Sequence, residues 1–295
     1  MNVQITVFTP TYNRAYIIEN LYRSLQRQTF TDFEWLVVDD GSSDGTEELF
    51  AKWSREETRF PVRYYKQPNG GKCRAINRAL DLSEGKLFFT VDSDDYLTDD
   101  ALEKVAKWES ELPKDQPYCG FAGNLGTALD STPNRMVREP FFDGSALDRY
   151  GKVDGERAMV FYTDIHRKYP YPVFDGEKFM TEAVAWNRMA HDGYKMRFFN
   201  DIIWVYEYKN DGLTKAGSSV FLNNPKGYGL WLREKAAFEK DSFAKQMKMY
   251  YTFTCDLAGK YNVETIASCI GASKFLIAGF DHCHKAAQKV RMICK

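Results

Sequence analysis

Asp92, Asp94 and Asp95 place three carboxylates within four residues, directly after the apolar run Leu87-Phe88-Phe89-Thr90-Val91. Side chains this close repel one another, and a cation among them is the simplest relief. Oxygen-only ligands suit a hard divalent ion such as Mg²⁺ or Mn²⁺, and an ion held by so few protein groups completes its shell with water and substrate phosphates. Thr98-Asp99-Asp100 could cap a following helix, which accounts for Asp99 and Asp100 but not for Asp92 and Asp94. Three more polar clusters follow apolar runs in the same way: Thr9 to Asn13, Asp39-Asp40-Gly41-Ser42-Ser43-Asp44-Gly45, and Pro68-Asn69-Gly70-Gly71-Lys72.

The elements that must position these clusters can be read from periodicity. Ile5 to Thr9, Phe33 to Val38, Val62 to Tyr65 and Leu87 to Val91 are short, β-prone and apolar, and read as strands. Between them lie helical patterns: Tyr16 to Gln28, a segment opening on a capping box of Asp44 and Glu47, and one through Ala75, Ile76, Ala79 and Leu80 closed by Ser83-Glu84-Gly85. Strand and helix thus alternate through the first hundred residues, which predicts right-handed βαβ units and a mostly parallel sheet. In such sheets ligands bind beyond the carboxyl ends of the strands, where all four polar clusters fall. The first turn has no glycine, so it is not a dinucleotide-binding turn, and no GxxxxGK[ST] occurs.

The 295 residues are 44% hydrophobic and 15% aromatic, enough for a sizeable core, and the net charge of −1 gives no basic excess for nucleic acid. The N-terminus has no basic region leading into a long apolar one, and no run is long and apolar enough to span a bilayer. The six cysteines lack CxxC spacing and read as reduced thiols; His282-Cys283-His284 has no paired ligand motif to make a zinc site. After about residue 115 the alternation weakens. Cys119 to Asn124 and Ala158 to Thr163 read as strands around an irregular stretch from 126 to 157. A helix carries Phe179, Ala183, Trp186 and Ala190 on one face, with Glu182 near its start and Gly193 as C-cap, and Ile202 to Tyr208 is β-like. An acid in a helix's first turn is ordinary, so Glu182 has a purely structural reading as well. From about 221 onward the chain reads as helical, ending in Lys285, Lys289, Arg291 and Lys295, a basic tail that could touch an anionic membrane face or simply be solvated. Tyr150, Tyr162, Trp186 and Trp204 could stack on sugar faces or belong to the core.

Thr9-Pro10-Thr11-Tyr12-Asn13-Arg14, Val37-Val38-Asp39-Asp40-Gly41-Ser42-Ser43-Asp44-Gly45-Thr46, Asn69-Gly70-Gly71-Lys72, Asp92-Ser93-Asp94-Asp95 and Thr181-Glu182 occur in the order and spacing of family 2 glycosyltransferases, which the chain resembles over roughly residues 3 to 210. The resemblance implies an α/β GT-A fold: a mostly parallel, Rossmann-like sheet flanked by helices, over residues 1–220, with a nucleotide-binding half of about 1–115 and an acceptor half of about 116–220. Residues 221–295 would form a C-terminal helical extension. It implies an inverting hexosyltransferase-type enzyme moving a sugar from a nucleotide-diphosphate sugar, usually a UDP-sugar, to an acceptor hydroxyl of a bacterial surface polysaccharide or lipid-linked glycan. That places the protein in the cytoplasm or peripherally at the inner face of the cell membrane.

Carried over by motif, Pro10 and Tyr12 line the base, and Asp40 with its neighbour Asp39 hydrogen-bonds it. Lys72 lies near the base or diphosphate. Asp92, with Ser93, faces the ribose or donor sugar, and Asp94 binds Mn²⁺ or Mg²⁺. Glu182 falls at the catalytic base, without the second acid that many members place beside it, and Glu177 is the fallback. The chemistry requires a base for the acceptor hydroxyl and a cation for the departing diphosphate, acting on opposite sides of the reacting carbon. A dehalogenase-type phosphatase would need an Asp on the first strand, and residues 5 to 14 have none. A sugar nucleotidyltransferase would need a Gly-rich, basic first loop. The alternative that survives is a non-catalytic nucleotide-sugar-binding or scaffolding module, because binding and turnover share most of these residues.

Overall fold

The computed structural model describes residues 3–149, 151–153, 155–206 and 217–293, with side chains as far as residue 289. Tyr150, Tyr208 and Lys295 lie outside the described residues, as does the side chain of Arg291. The chain forms two compact units, one of Met1–Tyr171 with Ala185–Gly212 and one of Pro172–Val184 with Leu213–Lys295. Glu177 and Glu182 therefore belong to the same unit as the C-terminal helices.

The first unit opens with the alternation expected from sequence: β1 (Ile5–Thr11), α1 (Glu19–Gln26), β2 (Phe33–Asp39), α2 (Thr46–Glu56), β3 (Val62–Lys66), α3 (Lys72–Leu82) and β4 (Leu87–Thr90). These four strands are parallel in the order β3-β2-β1-β4. Every residue of β2 is buried, which is why Phe33 to Val38 is an almost unbroken apolar run and not an alternating one. Trp35, Phe50, Trp53 and Tyr22 pack as an aromatic cluster over this half.

Beyond β4 the sheet continues through β5 (Tyr96–Leu97), β6 (Tyr118–Gly126), β7 (Phe141–Gly144), β8 (Arg157–Tyr162) and β9 (Lys195–Val205), in the order β4-β8-β6-β9-β5 with β7 on β9. Here β8 runs antiparallel to β4 and β6, and β5 and β7 antiparallel to β9. The sheet is thus mixed: parallel through the βαβ units of β1 to β4 and again between β6 and β9, and antiparallel elsewhere. The helices of this part are α4 (Ala101–Glu111), α5 (Thr163–His166) and α6 (Ala183–His191). Trp108 of α4 stacks on Phe199 of β9 at 4.3 Å. Two local expectations change. Phe179 precedes α6 instead of belonging to it, and Asp44 accepts from Thr46 N and Oγ1 while Glu47 pairs with Lys66, so no reciprocal capping box forms. Gly193 does end α6, at φ +91°, with Tyr194 N donating to Met189 O.

The second unit is helical: α7 (Ser219–Leu222), α8 (Pro225–Phe238), α9 (Phe243–Leu257), α10 (Val263–Ile270) and α11 (Lys274–Ile293). Its small core joins Phe253, Leu257, Ile266, Ile270 and Ile277. The boundaries follow local chemistry. Pro225 sits in the first turn of α8, Ser242 and Asn262 accept from the third residue on at the starts of α9 and α10, and Gly271 ends α10 in the left-handed region.

Candidate active site

The four parallel strands deliver their polar ends to one rim of the first unit. Thr11 pairs in register with Asp39, and Asp39 with Lys66. Asp40 N donates to Thr11 O at 2.8 Å, and Gln67 N to Asp39 O at 2.9 Å, which ties the three loops together where the strands end. Three further bonds clamp the first loop to the second: Asn13 N to Ser42 Oγ (2.8 Å), Ser43 N to Asn13 Oδ1 (2.9 Å) and Ala15 N to Asp44 Oδ2 (2.9 Å). Asn13 holds φ at 53°, a left-handed conformation that Asn tolerates better than most residues. The clamp leaves Pro10 half-buried and the Tyr12 ring exposed at the rim.

Asp39 and Asp40 are both buried, and neither carboxylate is idle. Asp39 Oδ1 accepts from Ser42 N at 2.7 Å, and its Oδ2 accepts from the Tyr64 hydroxyl at 2.5 Å. Burial and Asp39 together raise the Tyr64 hydroxyl well above the ordinary tyrosine range. Asp40 Oδ1 accepts from Gln67 Nε2 and Gly70 N at 2.9 Å each, and Oδ2 from Gly71 N at 2.7 Å. Asp40 is therefore the acid that shapes the Pro68-to-Lys72 loop. Gly41 makes the close approach possible: at φ +87°, an added Cβ would stand 3.0 Å from Asn69 N. The expectation that Asp40 serves mainly to hydrogen-bond a base did not foresee these three donors.

At the end of β4, Asp92, Ser93, Asp94 and Asp95 form a tight turn, with Asp95 N donating to Asp92 O at 3.3 Å. Lys72, the first residue of α3, brings Nζ to 2.7 Å from Asp92 Oδ1, and Arg14 brings Nη2 to 3.9 Å from Asp94 Oδ2. Burial raises the Asp94 carboxyl above the ordinary range, Asp92 adds to the rise, and Arg14 offsets part of it. Asp95 is pushed up to about 8, by burial first and Asp92 next, against the hydrogen bond that Trp204 Nε1 donates to its Oδ2 at 2.8 Å. Ser93 is buried in the turn, and the Thr11 hydroxyl is buried at the end of β1 with no hydrogen-bond partner among the described residues.

Among the described residues no group of three or more His, Cys, Asp or Glu side chains is arranged to hold a metal ion. The donor set nevertheless fits a hard cation. Asp92 and Asp94 offer carboxylate oxygens and already stand beside two protein cations, Lys72 and Arg14, so positive charge is what this rim takes up.

Glu177 and Glu182, in the second unit, differ in their surroundings. Glu177 is buried, and its Oε1 and Oε2 accept from Lys226 N (2.8 Å) and Gly227 N (2.9 Å), the first free amides of α8. It caps the start of α8. Glu182 is half-buried and stands immediately before α6.

The aromatic candidates divide. Trp204 is a core residue that holds Asp95. Tyr162 pairs with Leu87 at the start of β4 and donates to Glu109 at 3.2 Å, so it lies at the opposite end of that strand from Asp92. A cavity of about 410 Å³ lined by Lys86, Glu109, Tyr118 and Tyr162 lies there too. Trp186 stacks on Phe161 at 6.3 Å and keeps a buried indole N–H with no hydrogen-bond partner among the described residues. Sequence reading missed Arg14, Tyr64 and Gln67 as parts of the rim. Arg14 directly follows the first polar cluster, as the last residue of the Thr9-to-Arg14 motif, and could have been found there; Tyr64 and Gln67 carry no local signal, because strand pairing alone brings them to Asp39 and Asp40.

Residues 6–175 match the family model described as "Glycosyl transferase family 2". A curated relative, the GalNAc(5)-diNAcBac-PP-undecaprenol beta-1,3-glucosyltransferase of Campylobacter jejuni, is 27% identical over 230 residues, covering 73% of this chain and 68% of that protein. The chain spans half or less of two other curated relatives. Among solved structures, S. aureus TarS 1–349 in complex with UDP-GlcNAc superposes with a TM-score of 0.60 at 17% identity, covering 97% of this chain and 92% of that one. The mannosyltransferase PcManGT from Pyrobaculum calidifontis, in complex with GDP-Man and Mn²⁺, superposes with a TM-score of 0.52 at 19% identity, covering 98% and 76%. The shared fold is GT-A.

Proposed function

Because this chain belongs to glycosyl transferase family 2 and is a glycosyltransferase, we propose that it moves a hexose from a UDP-sugar, with inversion, onto a hydroxyl of a surface polysaccharide or lipid-linked glycan acceptor. The observation that carries this reading is the rim itself. Two clamped loops leave Tyr12 exposed beside Asp39 and Asp40, and the β4 carboxylates face two protein cations.

In this reading Tyr12 and Pro10 line the base. Asp39 and Asp40 border it while holding the loops that shape its pocket, and Lys72 approaches the diphosphate. Asp92, with Ser93, faces the ribose or donor sugar. Asp94 would hold a divalent cation, Mn²⁺ or Mg²⁺, supported by the oxygen donors described above and by the Mn²⁺ of the Pyrobaculum mannosyltransferase. When bound, such an ion acts as a Lewis acid toward the departing diphosphate. Glu182 takes the proton of the acceptor hydroxyl as that oxygen attacks the anomeric carbon, and one-step inversion needs no second catalytic carboxylate. The two backbone amides bound to Glu177 favour Glu182 over it in this role.

No helix among the described residues is long and apolar enough to cross a membrane. For a lipid-linked acceptor the reading places the protein in the cytoplasm, peripherally at the inner face of the cell membrane. The exposed Phe275, Lys285 and Lys289 of α11 supply the apolar and basic contact. Donor hydrolysis followed across UDP-sugars, with Mn²⁺ and then with EDTA, tests the proposal. Metal-dependent release of UDP from one donor is the expected result, and binding without turnover under every donor and acceptor condition would favour a non-catalytic binding module instead.

A further inference from the structure

We propose that Arg14 is a resident counter-cation of the β4 carboxylates that transfers from Asp94 to the donor diphosphate when nucleotide and metal arrive together, so that the free protein resists a bare divalent cation. The inference rests on the nucleotide-sugar reading and adds to it a residue and an order of binding.

The backbone of Arg14 is fixed on both sides. Asn13 and Ala15 are held by Ser42, Ser43 and Asp44, and the Arg14 carbonyl accepts from Ile17 N and Ile18 N at 3.0 Å each. Any response of Arg14 to a ligand is therefore a movement of its side chain. At 3.9 Å the guanidinium is too far from Asp94 Oδ2 for a direct hydrogen bond, so the contact is one of charge. Lys72, at 2.7 Å from Asp92 Oδ1, is by contrast directly bonded. The Arg14 and Asp94 side chains are only 17% and 22% exposed, so water screens the pair incompletely.

A divalent ion arriving alone meets Asp94 already neutralised and two cations beside it. An ion arriving with a diphosphate brings negative charge that Arg14 can accept. A planar guanidinium offers paired N–H donors to phosphate oxygens, which the compact ammonium of Lys72 cannot match in geometry. Of the two ion pairs described here, the longer one, with Asp94, is the one released.

The test compares wild type with Arg14→Gln and Arg14→Lys. Mn²⁺ binding without nucleotide is read by electron paramagnetic resonance, and UDP and GDP binding at saturating Mn²⁺ by calorimetry. Arg14→Gln is expected to tighten Mn²⁺ alone by about tenfold and to weaken the nucleotide by about tenfold, with Arg14→Lys between. Opposite shifts in the two constants cannot come from partial unfolding, which weakens both. If wild type binds UDP or GDP with Mn²⁺ but Arg14→Gln leaves either constant unchanged, this inference falls alone. If wild type binds neither nucleotide, the nucleotide-sugar reading falls and takes the inference with it.

Discussion

Three acids at the rim differ in role although their chemistry is the same. Asp40 spends its oxygens on Gln67, Gly70 and Gly71, Asp39 on Ser42 and Tyr64, and Asp94 meets only a distant guanidinium among its described ion pairs. The carboxylate with the least hydrogen-bonded charge is the one suited to an exchangeable cation. Asp94→Asn is therefore expected to lower turnover by at least about 100-fold, since removing Lewis-acid stabilisation costs several kcal/mol in the transition state. Metal titration of the residual activity checks it, and wild-type rates in Asp94→Asn would remove Asp94 from the metal site. Glu182→Gln should reduce sugar transfer by about 10²- to 10⁴-fold while UDP affinity stays within about twofold, because a general base contributes to the chemical step and not to donor binding. Retained transfer in that variant, measured with the same donor, would return the base to an unassigned group.

Elements explain why Glu177 and Glu182, five positions apart, part company. The first turn of α8 begins at Pro225 and leaves the amides of Lys226 and Gly227 without partners in the helix, and Glu177 supplies both acceptors. Glu177→Ala strands two amides, that of Gly227 buried and that of Lys226 partly so. It is expected to destabilise the helical unit by about 2–4 kcal/mol, seen as a lower urea midpoint at unchanged m. Glu177→Gln keeps one acceptor, so it should cost less and leave the turnover of the folded enzyme near wild type; a collapse of turnover there would revive Glu177 as the base. Loops at the rim obey the same logic. Asn13, Ser42 and Asp44 are loop residues whose value lies in bonds between the loops after β1 and β2, so the rigidity of the first loop is a property of β1 and β2 lying side by side.

Whole-molecule stability should carry a signature of the buried His166. Its ring sits among Phe88, Phe161 and Tyr171, accepts or donates one contact with the Tyr171 hydroxyl at 3.2 Å, and burial lowers its pKa to about 3. The folded value lies below the unfolded one, so the unfolded chain takes up the proton first. Stability is full above about pH 6.5 and is lost as pH falls from there toward 3, at about 1.4 kcal/mol per pH unit. Between pH 6.5 and 5 the unit that holds His166 should lose about 2 kcal/mol more in wild type than in His166→Gln, by urea unfolding at each pH. Parallel pH slopes in the two proteins would mean that His166 is not kept neutral by the fold.

The alternation of apolar runs and helical patterns was enough to read β1 to β4 and their helices, since strands buried on both faces and one-sided helices leave distinct periodicities. The polar clusters at the strand ends located the rim for the same reason: a parallel sheet delivers its carboxyl ends to one side. Family motifs in their spacing then named the fold. What followed residue 115 was legible only in part, because β6, β8 and β9 pair across long separations that local pattern does not encode, and the sheet turned out half antiparallel. Only the tertiary structure could separate Asp40 from Asp94 and Glu177 from Glu182, or bring Arg14 within reach of β4. A carboxylate's role depends on which donors surround it, and those donors come from elsewhere in the chain.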